Sequence, residues 1–350
     1  MRFPKAKRFI ITGNGPQMLT STELIKSRGV PALASTSPRQ AQGLVEFEGE
    51  TLSLEKHLQK RGTELLVCAT ADELVKKLDA KALAGAFVFS FGAPWIFKKP
   101  FLEAFGGRVL NFHGSRLPRD RGSAGWSWGI MDGLRLGYCA AHLVDEGIDT
   151  GPLIMLEEFP FPKDCRVPAD FDREAALRRL PAMTKLVDRL IAGDEFQALQ
   201  QPEHLSSYWP RLNTDIHGWI DWSWTPDEIE RFACAFDEPY PGAQTVWDGE
   251  PVRLKGVWAT REDGDFHPFK AGIVYRKASD HLAIAARGGS LLVYSILDQA
   301  GRGIMERVRL GDRFHTPAAK LDEARQQRVQ YKPDGTMVSV QKRPEKSNVR

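Results

Sequence analysis

Four short apolar runs separated by helical stretches constrain the fold of this chain more than any other feature. Phe9 to Thr12, Leu65 to Ala69, Ala86 to Phe91 and Arg108 to Phe112 each read as a buried strand. Runs this continuous suit strands covered on both faces, since successive side chains point to opposite sides of a sheet. Between them, Thr20 to Arg28 reads as a helix stopped by Gly29-Val30-Pro31, and Asp72 can cap a helix from Glu73 to Leu78. The alternation predicts an α/β fold with a parallel, Rossmann-like sheet. The first run ends in Thr12-Gly13-Asn14-Gly15-Pro16. A glycine-rich turn there invites a phosphate-binding reading, but Met18 replaces the third glycine of G-x-G-x-x-G and Pro16 is expected to break the helix start. A tight strand-to-helix turn is the alternative.

The chemistry concentrates between Val109 and Pro152. Asn111 and His113 lie two apart at a strand end, so they point to one side. An amide donor beside a titratable imidazole can polarise a carbonyl oxygen and move a proton. Asp149, in a glycine-rich turn, adds a carboxylate able to orient or charge that imidazole. Ser115 to Gly122 forms a turn bearing Arg116, Arg119 and Arg121, which could grip substrate phosphates or form a solvated face. Ala124 to Met131 reads as a helix, and Gly137 to Val144 as a strand carrying His142. The loop Phe91-Gly92-Ala93-Pro94-Trp95-Ile96-Phe97 is unusually apolar for a surface connection. It either walls a pocket for a flat heterocycle at the carboxyl edge of the sheet or covers the following helix with Trp95 and Phe97.

The order N-x-H-x-S-x-L-P-x-x-x-G followed by H-x-V-D-E-x-x-D-x-G-P resembles the folate-dependent formyltransferases. These enzymes move a formyl group from 10-formyltetrahydrofolate to an amine. The resemblance implies catalytic roles for Asn111, His113 and Asp149, and a Ser-x-L-P turn at Ser115, Leu117 and Pro118, with Arg116 where Leu is more usual. It implies that Phe91, Gly92, Ala93, Pro94, Trp95 and Ile96, with His142, Val144, Asp145 and Ile148, meet the folate, and that Ser115, Arg116 and Arg119 face the acceptor. No metal is implied, because two donors already serve the oxyanion.

At 350 residues the chain has room for two domains on a prior of about one per 150. The net charge of +3 favours neither a polyanion binder nor an acidic tail. Cys68, Cys139, Cys165 and Cys234 show no C-x-x-C spacing, which argues against both disulfides and a zinc cluster. No apolar segment approaches 18 residues and the N-terminus has no signal-like core, so a soluble, cytoplasmic protein without a membrane partner is expected.

Pro152 to Phe159 reads as the last strand of the first domain. Asp172 to Ala192 carries a helical stripe at Ala176, Leu180, Met183, Val187, Leu190 and Ile191, with Pro181 predicting a kink or two helices and Gly193 a C-cap. A polar linker follows from Asp194 to Trp209. Beyond it, Thr225, Pro226 and Glu228 form a capping box for a helix reaching about Phe236. Asp248-Gly249 is a hairpin signature, and Ile273 to Tyr275, Leu282 to Ala286 and Leu291 to Ile296 add strands. A helix followed by several short strands suggests a small open barrel, which the resemblance identifies as OB-like. The expected division is a catalytic domain over 1–205, an OB-like domain over 206–320 and a polar, fraying tail over 321–350.

Three functions compete. They are formylation of a nucleotide-linked amino sugar, formylation of methionyl-tRNA, and a folate- or nucleotide-binding module without catalysis. The intact trio argues against the last. A tRNA reader needs a basic surface, yet from residue 205 onward 21 Lys and Arg stand beside 20 Asp and Glu. The opening G-T-P-x-F-A usual in the tRNA enzymes is also replaced by Gly13-Asn14-Gly15-Pro16. A small amine acceptor is therefore favoured, nucleic acid enters only if tRNA is that acceptor, and a homodimer stays open.

Overall fold

The apolar runs pair into one seven-stranded sheet in the computed structural model, which describes residues 1–331 and 336–340. Its strands are β1 (Arg8–Gly13), β2 (Ala32–Thr36), β3 (Leu65–Val67), β4 (Ala86–Phe91), β5 (Val109–His113), β6 (Leu136–Leu143) and β7 (Leu153–Pro160). They lie in the order β7-β6-β5-β4-β1-β2-β3. The first five are parallel in the Rossmann-like order. β6 runs antiparallel to β5, and β7 to β6. The sheet is thus mixed at one edge and not wholly parallel; β7 returns antiparallel to β6 because the short 144–152 connection leaves no room for a crossover. The sequence reading passed over β2: it is buried with small and hydroxyl residues, Ala-Leu-Ala-Ser-Thr, and shows no long apolar run.

Alternate side chains serve opposite faces. Phe9, Ile11, Phe87 and Phe89 pack with helices α1 (Pro16–Ser27) and α5 (Pro168–Ala192) on one side. Ile10, Val88 and Val109 pack with α2 (Ala71–Lys77) and α3 (Lys99–Ala104) on the other. Helix starts differ from expectation in two places. Pro16 opens α1 instead of breaking it, since the first helical position needs no N–H. Thr70, not Asp72, caps α2 by accepting from the Glu73 amide at 3.1 Å. α5 runs through Pro181 as one helix, closed by Gly193 at φ 76°. In its first half the buried stripe falls one residue earlier than predicted, on Ala175 and Arg179.

At the carboxyl edge, where the chain winds outward in both directions from β1 and β4, Gly13 adopts φ 125°. A Cβ there would lie 2.0 Å from the Phe91 carbonyl, so only glycine lets these two strand ends close. α4 (Gly125–Met131) follows β5.

The second half begins with α6 (Pro226–Ala235), whose capping box is present. Strands β8 (Ala243–Trp247), β9 (Glu250–Thr260), β10 (Val274–Lys277), β11 (Leu282–Ala286) and β12 (Gly289–Leu297) form an antiparallel sheet ordered β8-β9-β12-β11-β10. Asp248 and Gly249 turn the first hairpin at φ 50° and 77°. Bridges from Val246 to His315 and from Ile273 to Arg313 link both sheet edges to one segment and close a small barrel. Ile130, Phe161, Phe171 and Ala175 of the first half share a core with Ile229, Phe236 and the barrel interior. Past Lys320, where fraying is expected, the described residues keep regular structure. Helix Ala318–Gln326 is tied to Asp221 by Arg325 at 2.8 Å, and Arg328–Tyr331 pairs with Met337–Val340. Residues 332–335 and 341–350 of that tail lie outside the described residues. Among the described residues no helix is long and apolar enough to cross a membrane.

Candidate active site

Register brings the predicted residues together. Asn111 lies opposite Ser90 of β4 on one side and opposite His142 of β6 on the other. Directly paired antiparallel residues share a face, so Asn111 and His142 meet, with Nδ2 to Nε2 at 3.1 Å. Asn111 Nδ2 also donates to Asp149 Oδ1 at 3.2 Å. His113 Nδ1 is 3.6 Å from Asp149 Oδ2, and His142 Nε2 is 3.4 Å from Oδ1. Asp149 therefore sits between two imidazoles, 12% exposed. It occupies the left-handed region at φ 55°, a conformation Asp tolerates better than most residues. Gly151, two residues on, passes so close to β6 that a Cβ would lie 1.8 Å from the Leu143 carbonyl.

The electrostatics favour an ionised carboxylate. Burial alone would raise the Asp149 pKa. The His142 hydrogen bond, the His113 charge and the Gly122 amide at 3.0 Å outweigh it and hold the group at about 2. His142 Nδ1 contacts the Leu143 carbonyl at 2.9 Å, so it carries the proton. His113 Nε2 contacts the Asp120 carbonyl at 2.8 Å and is therefore a donor as well.

The family described as formyl transferase matches residues 9–167, and its C-terminal domain matches 214–308. The chain belongs to the formyl transferase family. A methionyl-tRNA formyltransferase of Geotalea uraniireducens (strain Rf4) is 28% identical over 221 residues, covering 63% of this chain and 67% of that protein. Across eight curated methionyl-tRNA formyltransferases, the chain spans 56–67% of their own length. The fold matches the N-formyltransferase of Helicobacter canadensis, solved with folinic acid and dTDP-3-aminofucose. The TM-score is 0.62 at 18% identity, over 83% of this chain and 99% of that one. HypX of Aquifex aeolicus, solved with tetrahydrofolic acid, gives 0.55 at 17% identity, over 86% of this chain and 46% of that one.

Within this family member the other predicted residues are distributed unevenly. Phe91 is buried and stacks on Phe112 at 4.5 Å. Trp95 donates Nε1 to the Ala69 carbonyl at 3.1 Å and, with Phe97, packs among Phe101 and Phe105. The pair covers α3, as the second reading of the loop had it. Ile96 stays 70% exposed, with Gly92 exposed and Ala93 and Pro94 half-buried. Val144 is half-buried, Ile148 is exposed, and Asp145 accepts from Thr150 Oγ1 and the Gly147 amide. Ser115, Arg116 and Asp120, with Trp126, Trp128 and Trp209, line a narrow cleft of about 40 Å³ that begins at Gly114, next to His113. Arg119 is exposed. Arg121 does not join a phosphate grip: it is buried and paired with Glu203 at 2.9 Å, pulled inward by the linker. All four cysteines are free and buried, and among the described residues no His, Cys, Asp and Glu cluster could hold a metal ion.

Sequence reasoning missed four contributors: the Asp120 carbonyl, the Gly122 amide, Gln201 and Arg179. Gln201 donates to the carbonyls of Asp149 at 2.9 Å and Gly151 at 2.7 Å. Arg179, buried on α5, donates to the carbonyls of Tyr138 and Gly114, the latter next to His113. Backbone groups carry no side-chain signal. Arg179 occupied a position in the helical pattern that reads as solvent-facing.

Proposed function

We propose that the protein transfers the formyl group of 10-formyltetrahydrofolate to the primary amine of a small acceptor, a nucleotide-linked amino sugar. The observation that carries the reading is the half-buried, ionised Asp149 held between His113 and His142 beside Asn111. In this reading residues 1–205 hold the chemistry and the 206–320 barrel buttresses the acceptor side. The exposed Ile96 and Ile148 offer apolar surface to a flat heterocycle, and the cleft lined by Trp126, Trp128 and Trp209 takes the acceptor.

The amine nitrogen attacks the formyl carbon, and the carbonyl electron pair moves onto oxygen. Asn111 Nδ2 and His113 Nε2 turn from Asp149 and from the Asp120 carbonyl to donate to that oxyanion; such contacts commonly rearrange when substrates bind. Asp149 takes the proton of the attacking amine, directly or through water, and stabilises the charged form of His113. His113 then protonates the folate nitrogen as its bond to the formyl carbon breaks, leaving an N-formyl amide and tetrahydrofolate. Arg116, which lines the cleft, meets a phosphate of the acceptor in this reading.

Sequence similarity to methionyl-tRNA formyltransferases supports a second reading, with charged initiator tRNA as acceptor. The two separate in one experiment. With 10-formyltetrahydrofolate present, kcat/KM is compared for charged initiator tRNA and a panel of nucleotide-linked amino sugars, each at rising salt. Sugar turnover with shallow salt dependence is expected. Efficient tRNA formylation that falls steeply with salt, with no sugar turnover, overturns the small-acceptor reading.

A further inference from the structure

The segment joining the two halves completes the site. After Leu199 pairs with Leu153 at the start of β7, the Gln201 side chain reaches back toward the Asp149 loop. Its amide group donates to the Asp149 carbonyl at 2.9 Å and the Gly151 carbonyl at 2.7 Å. Its oxygen accepts from Arg121 Nη2 at 3.2 Å. Arg121 belongs to the loop whose Asp120 carbonyl holds His113 and whose Gly122 amide holds Asp149. One carboxamide thus ties together both loops that aim the trio. Asp149 is also a non-glycine residue at positive φ, a conformation that persists only where its surroundings hold it. Asn111, His113 and His142 hold its carboxylate, and Gln201 is the side chain that grips its backbone carbonyl.

We propose that Gln201 is a positioning residue for Asp149, so that the interdomain segment sets the geometry of formyl transfer. The proposal rests on the formyl-transfer reading above. A linker that merely joins two domains would need no such contact, and a purely structural glutamine would affect folding without separating kcat from KM.

The test uses the full chain with two variants. Gln201→Glu keeps length and the acceptor facing Arg121, but presents oxygens to two carbonyls. Gln201→Met keeps length with no charge and no donor. Glu203→Gln, in the same segment and touching Arg121 but not the Asp149 loop, is the control. In both Gln201 variants kcat falls about tenfold or more while KM for donor and acceptor changes less than about threefold, as loss of an alignment needed only in the transition state predicts. Amide hydrogen exchange over 147–151 speeds up about tenfold in both, with the rest of the sheet unchanged. Near-normal kcat in both variants, a loss confined to KM, or unchanged protection at 147–151 overturns the proposal. A wild-type protein that transfers no formyl group overturns the functional reading instead, and the exchange comparison then still decides whether Gln201 holds the loop.

Discussion

The two loops that meet over His113 are held in place by different means. The 145–151 loop is shaped mainly from within: Asp145 accepts from the Gly147 amide at 3.1 Å and from Thr150 Oγ1 at 2.5 Å, Gly151 presses against β6, and Gln201 is the distant side chain that grips its carbonyls. The 115–122 loop is held mostly from outside. Ser207 takes the Asp120 and Arg121 amides, Trp209 Nε1 donates to Asp120, and Glu203 pairs with Arg121. Local hydrogen bonds shape most of the first loop, with Gln201 clamping its far end, whereas a segment more than eighty residues away shapes nearly all of the second. The contrast predicts where each loop breaks.

The largest effect is expected at the loop shaped mainly from within. Gly151→Ala places a Cβ 1.8 Å from a backbone oxygen that cannot yield. The loop must shift by enough to misplace Asp149, and kcat/KM falls by about a hundredfold or more. Steady-state kinetics check this, and near-normal turnover would mean the loop re-forms around the new methyl. Next comes the externally held loop. Arg121→Met leaves Gln201 Oε1 without its partner and loses the Glu203 pair, costing about 1–3 kcal/mol in urea unfolding.

A third effect is set by pH. The folded-state pKa of Asp149, about 2, lies below its unfolded value of about 3.9. The group therefore contributes stability that is full above the unfolded pKa and is lost as pH falls from about 4 to about 2, of order 2 kcal/mol. In Asp149→Asn that contribution is missing at every pH, so the stability gap between the native protein and the variant should narrow by about 2 kcal/mol between pH 5 and pH 2. A gap that widens on acidification would contradict the depressed pKa. The smallest effect is expected from Glu203→Gln. Its side chain is 77% exposed, so losing the ion pair costs about 1 kcal/mol at most.

The same contrast explains what could be read in the sequence. Asn111, His113 and Asp149 were legible because their spacing is local to two strand ends and one short loop, and the fold's period-2 alternation carries them to one face. The capping box at Thr225 and the Asp248-Gly249 hairpin were legible for the same reason: each is settled by neighbours within a few residues. β2 was invisible because small residues bury without an apolar run. Arg121 was read as solvent-facing or phosphate-binding, although Gln201 and Glu203 draw it inside, and no local pattern announces a partner that distant. Trp95 followed similar logic. An aromatic in an apolar loop could wall a pocket or seal a helix, and the Ala69 carbonyl decides between them only in three dimensions.

The most direct test of the central claim is a single-turnover comparison of the native protein and His113→Ala. Each is mixed with 10-formyltetrahydrofolate and the best nucleotide-linked amino sugar, and tetrahydrofolate and N-formyl product are followed together. Formation of the two in equal amounts by the native protein, slowed by about a hundredfold or more in the variant with its fold unchanged, is the predicted result. Near-native transfer by His113→Ala, or formylated product without release of tetrahydrofolate, would contradict the account.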